Sequence, residues 1–322
     1  MERIGLVLGG GGAVGAAYHA GALAALEQDL GWDARTAHVI VGTSAGAIAG
    51  TLLRMHVPPS DLAAMTVGAP TRHTDATFVQ RLVSRPSFPP FGMRNLLRFP
   101  RIPSPLAIAG VAALWWRRGP SSAASIATLL PDGSEVLLPH VAFLDEQLGA
   151  RWPVATLLLC AVRRRDNRRT VFGPGGATAT LAAAIAASCA VPGYFQSVEI
   201  NGERYVDGGV ISATNADVLR RHHDLDLAII ISPMTGKGGR PSLARAIRRF
   251  CRRALDHEVR TLRDAGIPTV VIEPGGPVLN HITSDFMSET ASVDIVREAF
   301  LDTGIQIRES PALRSLRSGQ AT

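Results

Sequence analysis

At 322 residues, with 46% hydrophobic and 19% charged side chains, the chain has enough apolar surface for a large core, which excludes global disorder. The balance is basic, +6 with a pI near 10.0, and every basic residue except Lys237 is Arg; aromatics are only 5% and no nucleic-acid motif accompanies the arginines, so nucleic acid is not expected as a partner. Cys160, Cys189 and Cys251 form no CxxC pair and the nine His show no HExxH spacing, so neither a disulfide framework nor a metal site is predicted.

The chain enters a strand pattern directly after Met-Glu-Arg, which leaves no room for a leader; the expectation is a cytoplasmic protein. Ile4–Leu8 reads as a strand, Gly15–Asp29 as a helix, Val39–Val41 as a strand and Ala45–Met55 as a second helix. That β-α-β-α order calls for a parallel sheet covered by helices. From Pro58 to Gly149 the pattern blurs, broken by Pro86, Pro89, Pro90, Pro100, Pro103 and Pro105, and reads as an inserted cap, part helix and part loop. Its apolar stretch PLAIAGVAALWW (Pro105–Trp116) is shorter than the ~20 residues a membrane span needs. Trp115 and Trp116, flanked by arginines, suit contact with a lipid interface and hence a peripheral membrane association; an ordinary buried helix is equally open.

Regular order returns with Pro153–Val162, paired through a polar turn with Arg168–Gly173, and a helix follows at TLAAAIAAS. Asn201-Gly202 sits between two alternating runs and signals a tight hairpin, whose second strand ends at Asp207. Leu225–Ser232 and Ile267–Pro274 read as buried strands. Between them, Leu243, Ile247, Phe250, Cys251, Ala254, Leu255 and Leu262 recur at helical spacing with the arginines largely off the stripe, which predicts an amphipathic core helix. A flexible tail is expected over 308–322.

Three glycine-marked corners carry the chemistry. The first, Gly10-x-Gly12-x-x-Gly15, fits a dinucleotide fingerprint, with Asp29 or Asp33 as a ribose acid; the same amides beside a helix N-terminus suit the oxyanion of a tetrahedral intermediate equally well. The second, Gly42-Thr43-Ser44-Ala45-Gly46, is a GxSxG nucleophile elbow on a strand-to-helix corner, and it favours the oxyanion. An α/β-hydrolase triad explains Ser44 poorly, because the elbow follows only the second strand and His222, His223, His257 and His281 lie in unmarked contexts. His19 is either packed in the first helix or near the site. The third corner is Asp207-Gly208-Gly209, an ordinary turn or a base for Ser44.

Together and in this order, GGGGAVG, GTSAG and DGG resemble the patatin-like phospholipase family, as does ASCAVPGYFQSVEINGERYVDGGVISATNAD (Ala187–Asp217) around the third corner. The resemblance runs from about Arg3 to Ile307, so 1–307 is read as one catalytic domain carrying the 58–149 cap. It implies a three-layer α/β/α fold with a mostly parallel central sheet. It also implies a Ser44–Asp207 dyad without His, an oxyanion hole at Gly10, Gly11 and Gly12, and structural support from Gly15, Gly42, Gly46, Gly208 and Gly209. The implied activity is metal- and cofactor-independent hydrolysis of lipid acyl esters through an acyl-enzyme. Val14 stands where the family often carries Arg or Lys, which leaves acyl-ester hydrolysis better supported than a phospholipid substrate. A non-catalytic lipid-binding relative is the alternative, and a nucleotide-binding oxidoreductase a more distant one.

Overall fold

The computed structural model describes residues 2–83, 132–236, 243–282 and 285–319. Strands β1 (Ile4–Leu8), β2 (Val39–Gly42), β3 (Thr156–Arg163), β7 (Leu227–Ile231) and β8 (Thr269–Ile272) run parallel in the order β3-β2-β1-β7-β8. The antiparallel strands β4 (Arg168–Phe172), β5 (Val198–Ile200) and β6 (Glu203–Asp207) complete the sheet on the β3 side.

The central strands are apolar at every position because both faces are covered. Leu6, Leu8, Ile40, Leu157 and Leu159 point to one face, where helices α1 (Gly12–Ala25), α2 (Ala45–Arg54) and, further along the chain, Leu181–Ser188 and Ser292–Glu309 join the same core. Val7, Val39, Val41, Leu158 and Cys160 point to the other, against Leu255, Val259 and Leu262 of the long helix Leu243–Asp264. The result is the expected three-layer architecture. The Asn201-Gly202 turn is as predicted: both residues have positive φ, and Ile200 pairs with Glu203 across a two-residue loop.

Two expectations change. Residues of the predicted cap belong to the body: α3 (Pro59–Thr66) packs Leu62 into the core and its Ser60 N–H donates to Glu27 at 3.0 Å. After α4 (Ala76–Val83), the short helices α5 (Leu138–Val141) and α6 (Phe143–Gln147) likewise bury Val141 and Leu144. The Pro105–Trp116 stretch, with Trp115 and Trp116, lies outside the described residues. The remaining helices are α7 (Leu181–Ser188), α8 (Leu243–Asp264), α9 (Gly276–His281), α10 (Ser292–Glu309) and α11 (Pro311–Gly319). Helix α11 stands where a flexible tail was expected, because Leu313 and Leu316 are spaced to share one face and both are buried in the core.

The register at β3 places the site. Gly42, the end of β2, pairs with Leu159, and Asp207, the end of β6, pairs with Ala161. Strand β4 occupies the opposite edge of β3 over this span, so β2 and β6 share one edge and meet end to end. Two corners separated by more than half the chain are thereby brought together by backbone ladders alone.

Candidate active site

Ser44 sits between β2 and α2 at φ 53, ψ −121, a region that a residue with a side chain occupies at a cost of about 1–3 kcal/mol. Its own amide donates to the Ser188 hydroxyl at 3.0 Å, and that hydroxyl donates to the Cys160 carbonyl at 2.7 Å. The Thr43 and Gly46 amides close the turn onto Leu8 and Thr43 carbonyls. Helix α2 can lie this close to β1 only because residue 46 has no side chain: a Cβ there would stand 1.9 Å from the Leu8 carbonyl oxygen. The backbone thus holds the Ser44 hydroxyl out at the sheet's C-terminal edge.

The Asp207 carboxylate faces that hydroxyl, which helps hold its pKa down, and accepts the Gly209 N–H at 2.6 Å. Burial raises the Asp207 pKa from an ordinary 3.8 to about 6, while the nearby Ser44 hydroxyl and the Gly209 N–H oppose the rise. An ionised Asp207 is a stronger base than a surface carboxylate and is still largely deprotonated at pH 7. Ester hydrolysis requiring that base should rise about tenfold per pH unit below 6 and level off above it, measured as kcat/KM against pH.

The same shift makes a stability prediction. Between about 3.8 and 6 the unfolded chain ionises Asp207 while the folded one keeps it protonated, so stability falls as pH rises through that window. Asp207→Asn removes the charge and should therefore melt higher than wild type at pH 8, by an amount corresponding to roughly 3 kcal/mol, with the gap closing towards pH 4. Thermal melts of both proteins across that range check it; a variant less stable than wild type at pH 8 contradicts it.

In the glycine loop, the Gly9 amide donates to Ile231 at 3.0 Å and the Gly10 amide to Ala213 at 2.7 Å. Gly10 is thus corrected as an oxyanion donor, since its N–H is already used; a Cβ on it would also crowd the Ser44 Cβ at 3.2 Å. The amides of Gly11 and Gly12 donate to no atom among the described residues and lie at the start of α1. Gly12 has φ 61, and a Cβ there would meet the Phe286 carbonyl at 2.5 Å. His19 is packed: its Nε2–H donates to the Gly9 carbonyl at 2.6 Å, and burial lowers its pKa to about 4, so it is a neutral strut beneath the loop. Val14 is buried in the core beside it. Neither offered ribose acid is free: Asp33 pairs with Arg35 and Asp29 faces Arg308.

A sequence profile of patatin-like phospholipases matches residues 6–220, two thirds of the chain, and that span contains the glycine loop, Ser44 and Asp207. The chain belongs to the patatin-like phospholipase family. Among solved structures, a crystal structure of VipD from Legionella pneumophila is similar over 94% of this chain and 67% of VipD, with 14% identity and a TM-score of 0.43. No curated protein sequence matches the chain. Among the described residues no helix is long and apolar enough to cross a membrane.

Behind Ser44 and Asp207 of this patatin-like protein lies a polar network that sequence reasoning missed. Asn215 donates to the Thr43 hydroxyl at 3.1 Å and to the Ser212 carbonyl at 2.7 Å, and accepts from Arg169 at 3.1 Å. Arg169 is paired in bidentate fashion with Asp217. Glu258, buried on α8, accepts from the Thr214 hydroxyl at 2.5 Å and the Ala216 amide at 2.9 Å; burial raises its pKa and these bonds hold it down. These residues pin the chain leaving Asp207 to the turn carrying Ser44. For Glu258 a signal was available, because it falls on the apolar stripe between Leu255 and Leu262.

Two apolar chambers open on Ser44. One, of about 140 Å³, runs along α2 and α3; the other, of about 330 Å³, runs under the first half of α8. The α8 stripe is therefore divided: Leu255, Val259 and Leu262 enter the core, whereas Ile247, Phe250 and Cys251 line the larger chamber.

Proposed function

We propose that this chain is a serine acyl hydrolase of lipid esters that works through a Ser44–Asp207 dyad and needs no metal. The observation that carries the reading is the meeting of the Ser44 hydroxyl with a buried carboxylate of raised pKa, where β2 and β6 end on one edge of β3. In the proposed sequence, Ser44 Oγ attacks the ester carbonyl as its proton passes to Asp207. The carbonyl oxygen, now negative, is held by the Gly11 and Gly12 amides, each donor contributing about 3 kcal/mol. Collapse breaks the bond to the alcohol oxygen, which takes the proton from Asp207 and leaves. Water then attacks the acyl-enzyme, Asp207 accepting its proton, and Ser44 is regenerated with release of the fatty acid.

The neutral, packed state of His19, whose Nε2–H is committed to the Gly9 carbonyl, supports a dyad over a triad. The apolar chambers on both sides of Ser44 support a lipid-like substrate. Hydrolysis of p-nitrophenyl acyl esters tests the proposal: the wild type should be active, and equally so in excess EDTA. An inert wild type, or activity lost to EDTA and restored by calcium, would overturn it.

A further inference from the structure

An ester has two arms, and the two chambers distinguish them. Both chambers are lined by Ser44, Gly12, Val191 and Met287, which form the waist between them. Asp207 and Gly209 line only the larger chamber. The smaller is walled by Ile48, Leu52, Leu62 and Thr66 from α2 and α3. The larger is walled by Val210, Met234, Ile247, Phe250 and Phe286, with the Cys251 thiol kept neutral by burial.

The chemistry then fixes an orientation. The proton that Asp207 takes from Ser44 must be delivered to the departing alcohol oxygen, and such a transfer needs a separation of about 2.6–3.2 Å. The alcohol must therefore leave on the side where Asp207 is exposed to the cavity. We infer that the fatty acyl arm lies in the smaller chamber along α2 and α3, and the alcohol arm in the larger one under α8. The inference rests on the hydrolase reading and names its substrate class: an acyl ester whose alcohol portion is itself apolar and uncharged next to the ester bond. An anionic group there would be stripped of water against Val210, Ile247 and Phe250 and would face the Asp207 carboxylate. The larger volume on this side suits an alcohol arm bulkier than the acyl chain.

Two series of neutral esters test this, one lengthening the acyl chain from butanoyl to palmitoyl on ethanol, the other lengthening the alcohol from ethyl to hexadecyl on butanoate. Ile48→Phe and Thr66→Phe fill the smaller chamber; Val210→Phe and Ile247→Trp fill the larger. Each variant is judged by its own ratio of kcat/KM for long against short esters, so a general loss of rate does not bear on the result. The two substitutions per chamber cover the case in which one fails to fold. The first pair should lower the long-to-short ratio at least ~10-fold in the acyl series alone, and the second pair in the alcohol series alone. In wild type, a carboxylate placed on the alcohol arm close to the ester oxygen should depress kcat/KM by a similar factor.

The reverse pattern, or both series moving together, would overturn the orientation while leaving the hydrolase reading in place. Absence of hydrolysis across both series in wild type would overturn the hydrolase reading and this inference with it.

Discussion

Ser44→Ala and Asp207→Asn are each expected to lower kcat/KM for ester hydrolysis by about 10⁴-fold or more, and the double variant by little beyond either single one. In the proposed mechanism the two groups act as one unit. Without the hydroxyl there is no nucleophile, and without the carboxylate nothing accepts its proton. Asp207→Asn is the more telling substitution, because it keeps the shape: the side-chain oxygen can still accept the Gly209 amide, which lies 2.6 Å from Oδ1 in wild type. Its loss of activity would thus report the missing base, and its higher melting temperature at pH 8 would show that the loss is not unfolding. Ser44→Ala retaining substantial hydrolysis would end the case for an acyl-enzyme at this position.

Gly46→Ala should fail to give a stable native protein. The added methyl would lie 1.9 Å from the Leu8 carbonyl oxygen, 2.4 Å from its carbon and 2.8 Å from the Gly9 carbonyl oxygen. All three are backbone atoms at the end of β1, so no side-chain rotation can relieve the overlap; α2 must move off the sheet. Losses of this kind fall in the range above about 4 kcal/mol. Gly276→Ala, where an added methyl meets nothing within 4 Å, is the control and should leave stability within about half a kcal/mol. Urea unfolding compares the two. A Gly46→Ala protein as stable as wild type would mean that the helix does not cross the strand end as described.

What could be read in advance follows from how local each feature is. The elbow, the Asn201-Gly202 hairpin and the buried parallel strands announce themselves through neighbours in sequence. Which glycine amide is free could not be read, because Gly10 is occupied by a carbonyl two hundred residues further along, at Ala213. Ser188 was equally hidden: nothing in TLAAAIAAS marks the last serine as the group that accepts the Ser44 amide. Asn215 looks like a turn residue and acts as a junction only once Thr43, Ser212 and Arg169 converge on it. The α11 helix was missed because an Arg- and Ser-rich segment with two leucines is too short for periodicity to speak, and only the face it meets makes those leucines core.

The end-to-end meeting of β2 and β6 on one edge of β3 also sets the order in which the site is assembled. The elbow precedes β3 in the chain, whereas the carboxylate that faces it arrives only with β6, after β3 has been made and has offered the remainder of its edge. A nascent chain that stops short of β6 carries the Ser44 hydroxyl without the Asp207 carboxylate that faces it in the complete fold. Under the proposed mechanism the fold thereby postpones its chemistry until synthesis has passed Asp207.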